Sequence, residues 1–211
     1  MSCPLTFDMH VHTKYSHDGR LEPEEIIRIC EKKKIDGIAI TDHDTIRGGI
    51  EAKKIRRDVR VIVGAEILTD HGELIGYHLN EEIRSRKIDE VIDEIKGQGG
   101  WVAVPHPFER IRKTSVDEEK LAEIVSRVDF IECLNGRAFW FFNERARKFA
   151  SRTGKKATAG SDAHMGFEVG MCRTLINDAE KMDICGIGRP PFPLYPLYPL
   201  IRTKIYKTFG V

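Results

Sequence analysis

The chain has 211 residues, of which 41% are hydrophobic and 32% charged, and its formal net charge is +1. These values fit one folded domain with a sizeable core, exclude a disordered chain, and supply no overall field to attract nucleic acid or an anionic membrane. Five scattered cysteines, never spaced as CxxC, and the lack of a long apolar run predict a cytoplasmic protein with free thiols, no membrane and no obligate protein partner.

"LTFDMHVHT" alternates apolar and polar residues and reads as a first strand, with Met9 and Val11 opposite Asp8, His10 and His12. "LEPEEIIRICEKKK" follows as a helix, with Pro23 near its start, acids in its first turn and lysines in its last. "DGIAITDHD" is a short strand, "GGIEAKKIRRD" a helix, and "VRVIVGAEILT" a Val- and Ile-rich strand. After a turn at Asp70–Gly72, "ELIGYHLN" reads as a strand and "SRKIDEVIDEIKGQG" as an amphipathic helix. "GWVAVPHP" is a strand, and "SVDEEKLAEIVSRV" a helix expected to be capped by Ser115 with Glu118 in capping-box position. "DFIECLNG", "FWFFNERARKFASRTG" and "KKATAGSDAH" continue as strand, helix and strand, and "CRTLIN" adds a short strand. The alternation predicts an α/β fold with a parallel sheet whose units could close into a barrel. A domain over residues 1–187 and a proline-rich tail, 188–211, extended and packed on it, are expected.

Chemistry-bearing side chains collect where strands stop: His10 and His12, Asp42 and His43, Glu66, His78, His106, then Asp162 and His164. In a parallel barrel all strand C-termini open on one face, so residues distant in sequence meet there. His10-x-His12 and Asp162-x-His164 each place two donors on one strand face, and histidine with carboxylate suits Zn²⁺, Mn²⁺ or Fe²⁺, with Mg²⁺ also able to serve. A multinuclear metal site is therefore expected. Asp8 and Asp42 read either as orienters of the neighbouring histidines or as plain strand-end hydrogen-bond acceptors.

In order along the chain, "DMHVHT", "SHDG", "ITDHDT", "GAE", "YHL", "PHP" and "GSDAH" resemble the motifs of the PHP family, named for polymerase and histidinol phosphatase. The resemblance implies a distorted seven-stranded (β/α) TIM-like barrel holding up to three divalent metals. It assigns His10, His12, Glu66 and Asp162 to a first metal, with Glu66 bridging to a second held by His78 and His106. Asp18, His43 and His164 would hold a third, with His17 as the alternative to Asp18.

Such a cluster implies phosphoester hydrolysis by metal-activated water, with His43, His164 and Asp162 as catalytic residues. Arg110, Arg112 and Arg137 follow strand ends and are candidates to hold phosphate, with Asn135 as a further substrate contact or a turn former. The aromatic run Phe139 to Phe142 could stack on a base, but it reads first as core contacts at a helix start, with one ring left at the mouth. The expected substrate is a small phosphorylated metabolite, a nucleotide or a short oligonucleotide. The alternatives are a histidinol-phosphatase-like monoesterase and a non-catalytic, metal-stabilised interaction module.

Overall fold

The computed structural model of the chain describes residues 3–55, 57–109, 112 and 114–188. Among the described residues nine strands form one sheet: β1 (Leu5–Val11), β2 (Gly37–Ile40), β3 (Arg60–Thr69), β4 (Gly72–Tyr77), β5 (Trp101–Val104), β6 (Phe130–Asn135), β7 (Lys156–Gly160), β8 (Arg173–Asp178) and β9 (Asp183–Gly188). Helices α1 (Pro23–Lys33), α2 (Arg47–Lys54), α3 (Ile88–Gly97), α4 (Glu118–Ile124) and α5 (Trp140–Thr153) lie between them. The strand order is β7-β6-β5-β4-β3-β2-β1-β8-β9. The sheet curls until the chain just past β7 meets the end of β1: Asp162 N donates to His10 O at 2.8 Å and His12 N to Ala163 O at 2.9 Å. The result is a nearly closed, barrel-shaped sheet, as expected. No helix of the described residues is long and apolar enough to cross a membrane.

The sheet is mixed where a wholly parallel one was expected. β4 runs antiparallel to both β3 and β5, and β8 runs antiparallel to β1 and β9. The cause is the turn between β3 and β4: only Asp70 and His71 separate them, whereas a parallel crossover needs a dozen residues or more. Gly72, at φ 113°, closes that hairpin in a conformation suited to glycine.

Phe7, Met9, Ile62, Ile75, Tyr77, Ala103 and Phe130 pack as an apolar plug inside the barrel. Outside it, Ile26, Ile27 and Cys30 of α1 pack with Val11, Ile38 and Ile40. Met9 and Val11 thus lie on opposite sides of the sheet, not on one face as strict alternation predicts. The pairing of β1 with β2 is irregular between Asp8 and Val11, and such a bulge inverts the alternation. It leaves His10 free to face inward above the plug.

The cap of α4 also differs from expectation. Asp117 accepts from Lys120 N at 2.9 Å, while Ser115 Oγ donates to His106 O at 3.1 Å. Of the expected tail, 188–211, Gly188 ends β9 and 189–211 lie outside the described residues.

Barrel closure leaves no room at Gly160. A Cβ there would stand 2.2 Å from His10 Cβ and 2.8 Å from Glu132 Oε1. Gly160→Ala is therefore expected to destabilise the fold by about 1–3 kcal/mol, read as a lowered melting temperature. An unchanged melt would contradict this packing.

Candidate metal centre

The C-terminal ends of β1, β2, β5, β6 and β7, with the far half of β3, form a polar bowl above the apolar plug. Glu66 lies at its centre, buried, because the link after β2 pairs with β3 there: Glu66 N donates to Asp42 O at 3.1 Å and Asp44 N to Glu66 O at 2.8 Å. Its Oε2 lies 3.3 Å from His10 Nε2, 3.4 Å from His12 Nε2 and 3.3 Å from His43 Nδ1, and its Oε1 lies 2.9 Å from His106 Nε2. Asp162 Oδ1 stands 3.5 Å from His12 Nε2. Toward the rim, Asp18 Oδ2 lies 2.8 Å from His164 Nε2, and its Oδ1 lies 3.7 Å from His43 Nε2.

Four of these imidazoles are held by their outer nitrogens. His10 Nδ1 meets Glu132 Oε1 at 3.0 Å and His12 Nδ1 meets Ser16 Oγ at 2.9 Å. His106 Nδ1 meets Ser115 Oγ at 3.4 Å, and His164 Nδ1 meets Asp162 O at 2.9 Å. Ser16 in turn donates to Asp42 at 3.1 Å, so Asp42 orients His12 through that hydroxyl. Asp8 instead accepts from Ser161 N at 2.8 Å and Gly170 N at 2.7 Å, and fixes the loop that carries Asp162. An imidazole anchored at Nδ1 presents Nε2 to the bowl, the arrangement that metal-ligating histidines use.

The electrostatics also suit a cation. His10 Nε2 and His12 Nε2 face each other at 3.0 Å, a distance that needs a proton or a cation between two lone pairs. Burial lowers the His10 pKa, but the charges of Glu66, Glu132 and Asp162 outweigh it and raise it well above the usual imidazole range. Burial, with the neighbouring His164, brings His12 down to about 3. Burial raises Glu66, yet His10, His106 and His43 overcome it and hold Glu66 well below the usual carboxylate range. The backbone is forced at the same place: His106 and Asp162 have φ of 28° and 56°, strain that clusters at functional sites. Donor atoms gather within 4.8 Å of one another in overlapping sets: His12, Asp18, His43 and His164; His10, His106 and Asp162; His10, His12 and Glu66; His43, Glu66 and Glu73. Nitrogen and carboxylate donors so placed fit divalent ions.

All the expected ligands converge here except His78. Because β4 runs antiparallel, its end emerges at the opposite end of the barrel, where His78 Nε2 lies 3.1 Å from Ala179 O. The same reversal brings the start of β4 to the bowl. Glu73, buried, stands 3.8 Å from His43 Nδ1 and 3.7 Å from His106 Nε2. Burial, reinforced by the charge of Glu66, raises its pKa. Glu73 and Glu132 escaped the sequence reading, although the two-residue hairpin link was legible and implied the first. Asp18, not His17, reaches the donor cluster; the exposed His17 ring packs 4.8 Å from that of His43.

Arg112 Nη2 lies 2.7 Å from Asp162 Oδ2, and Arg137 Nη1 lies 3.3 Å from Asp162 Oδ1 and 3.0 Å from His164 Nε2. Asn135 Nδ2 donates to Glu132 at 2.9 Å and Asp162 at 3.3 Å. Arg110 lies outside the described residues. Above these groups opens a cavity of about 510 Å³, lined by His17, His43, Glu73, Arg112, Arg137 and Phe139 among others.

A PHP domain model matches residues 8–140, and a PHP-associated model matches residues 140–186. The uncharacterized protein MJ1587 of Methanocaldococcus jannaschii is 44% identical over 123 residues, covering 52% of this chain and 72% of its own. A 5'-3' exoribonuclease of Haemophilus influenzae is 36% identical over 66 residues, which cover 30% of this chain and 24% of its own. A solved two-domain protein of Bacteroides vulgatus, described as containing a "predicted PHP-like metal-dependent phosphoesterase", superposes with a TM-score of 0.70 at 18% identity, over 85% of this chain and 62% of its own. With the PHP domain model spanning well over half of the sequence, this chain belongs to the PHP family.

Proposed function

We propose that the protein is a metal-dependent phosphoesterase that hydrolyses a small phosphorylated metabolite, a nucleotide or a short oligonucleotide. The observation that carries this reading is the set of anchored imidazoles turned inward on Glu66, beneath a cavity flanked by the guanidiniums of Arg112 and Arg137. His10, His12, Glu66, Asp162, His106, Asp18, His43 and His164, with Glu73 in place of His78, would hold up to three divalent ions. Such ions supply an activated water and neutralise phosphate charge.

Arg112 and Arg137 would bind the phosphoryl oxygens, Arg being suited to paired contacts with them. Asn135 would support that end of the cavity through its hydrogen bond to Asp162. In hydrolysis a water oxygen bonds to phosphorus, the bond to the leaving oxygen breaks, and that oxygen takes up a proton. His43, partly exposed at the cavity, or His164 would hold or pass that proton only through a ring nitrogen that no ion engages, and Asp162 would fix both arginines.

Manganese-loaded protein is expected to hydrolyse p-nitrophenyl phosphate, and His10→Ala to lower that rate at least about 100-fold. Silence of the fully loaded protein on all phosphoesters would favour the interaction-module reading instead. Chelation is also expected to lower the melting temperature by roughly 5–10 °C, since ions binding only the folded chain stabilise it. An unchanged melt after complete metal removal would contradict binding across these strand ends.

A further inference from the structure

We propose that Phe139, Trp140 and Phe141 form a stacking ledge for a nucleobase carried by the substrate; this rests on the phosphoesterase reading and narrows its substrate class. Core contacts with one ring at the mouth are expected of this run; the structure packs Phe142 on the core and sets Phe139 at the cavity, and in addition leaves Trp140 and Phe141 exposed. Helix α5 turns Asn143, Ala146 and Ala150 inward, with Phe142 and Phe149 packed on the core. Trp140 and Phe141 are 61% and 46% exposed. Large rings left in water beside a cavity mark a surface that something covers.

Their position names the occupant. β6 ends at the bowl, so the short link to α5 sets its side chains on the rim. Arg137 faces Asp162 on the floor, and Phe139, two residues on, lines the same cavity. The Phe139 and Phe141 rings lie nearly parallel, 17° apart with centroids at 5.5 Å, and Trp140 stands edge-on to Phe141 at 85°. A stack with parallel faces is extended by another flat ring, and every base offers one. A molecule with a phosphoryl group at one end and a base at the other spans the cationic floor and the aromatic rim. The cavity, about 510 Å³, is of the size that holds such ligands. A polyol phosphate would leave the ledge bare.

The test uses intact, metal-loaded protein and esters that differ by the base: adenosine 5'-monophosphate and 3'-monophosphate against ribose 5-phosphate. Wild type is expected to show higher kcat/KM on a nucleotide. Phe139→Ala is expected to lower the nucleotide-to-ribose ratio about 10-fold, and Phe139→Tyr to keep it. Adenosine monophosphate is expected to quench the emission of Trp140, with the quench lost in Trp140→Phe. An unaltered ratio in Phe139→Ala, absence of quenching, or an equal fall on both esters with a lower melting temperature would overturn the ledge. The last outcome would make the rings structural, covered by another part of the chain or by a protein. No hydrolysis of any ester would sink the phosphoesterase reading, while the quench would still judge the ledge.

Discussion

Glu66→Gln is expected to remove at least one bound ion per chain and to lower phosphoester hydrolysis by roughly 10³-fold or more. The side chain keeps its size, so the effect isolates charge. In the native bowl one buried carboxylate faces His10, His12, His43 and His106 within 3.4 Å. A neutral amide would turn its NH₂ toward part of that ring of nitrogens and offer a single acceptor to the rest. It would also remove the carboxylate charge that the inward nitrogens of His10, His43 and His106 face. Losing one partner of a buried pair costs about 3 kcal/mol or more, so the variant should also melt earlier. Metal analysis, turnover and a thermal melt on one preparation read the three effects together. Full metal content with normal turnover would show that Glu66 is not the bridge.

Glu73→Ala and His78→Ala are expected to separate cleanly. Glu73 stands beside His43 and His106, so its loss should reduce metal content and cut turnover about 100-fold. His78 lies at the far end of the barrel against Ala179, and its loss should leave metal content unaltered. The motif order alone favours His78; the antiparallel course of β4 favours Glu73. Metal content that falls in His78→Ala and holds in Glu73→Ala would mean that β4 runs the other way.

The same strand shows where the sequence was readable and where it was not. Strand ends such as His10-x-His12 and Asp162-x-His164 were legible because β/α repeats place every parallel strand end on one face. β4 broke that rule, since a two-residue link leaves no length for a crossover. The inward turn of His10 depends on the irregularity in β1, which alternation alone does not reveal. Glu132 lies in an ordinary strand, "FIECLN", and becomes an anchor for His10 only when the chain past β7, the strand beside β6, closes on β1. Asn135 was legible as a polar strand end, but its partners, Glu132 and Asp162, come from packing.

Anomalous scattering from crystals soaked in manganese tests the central claim most directly. Ions are expected within about 2.0–2.3 Å of donor atoms from His10, His12, Glu66 and Asp162, with a further ion touching Glu73. Peaks confined to the His78 end of the barrel, or none near Glu66 at saturating metal, would contradict it.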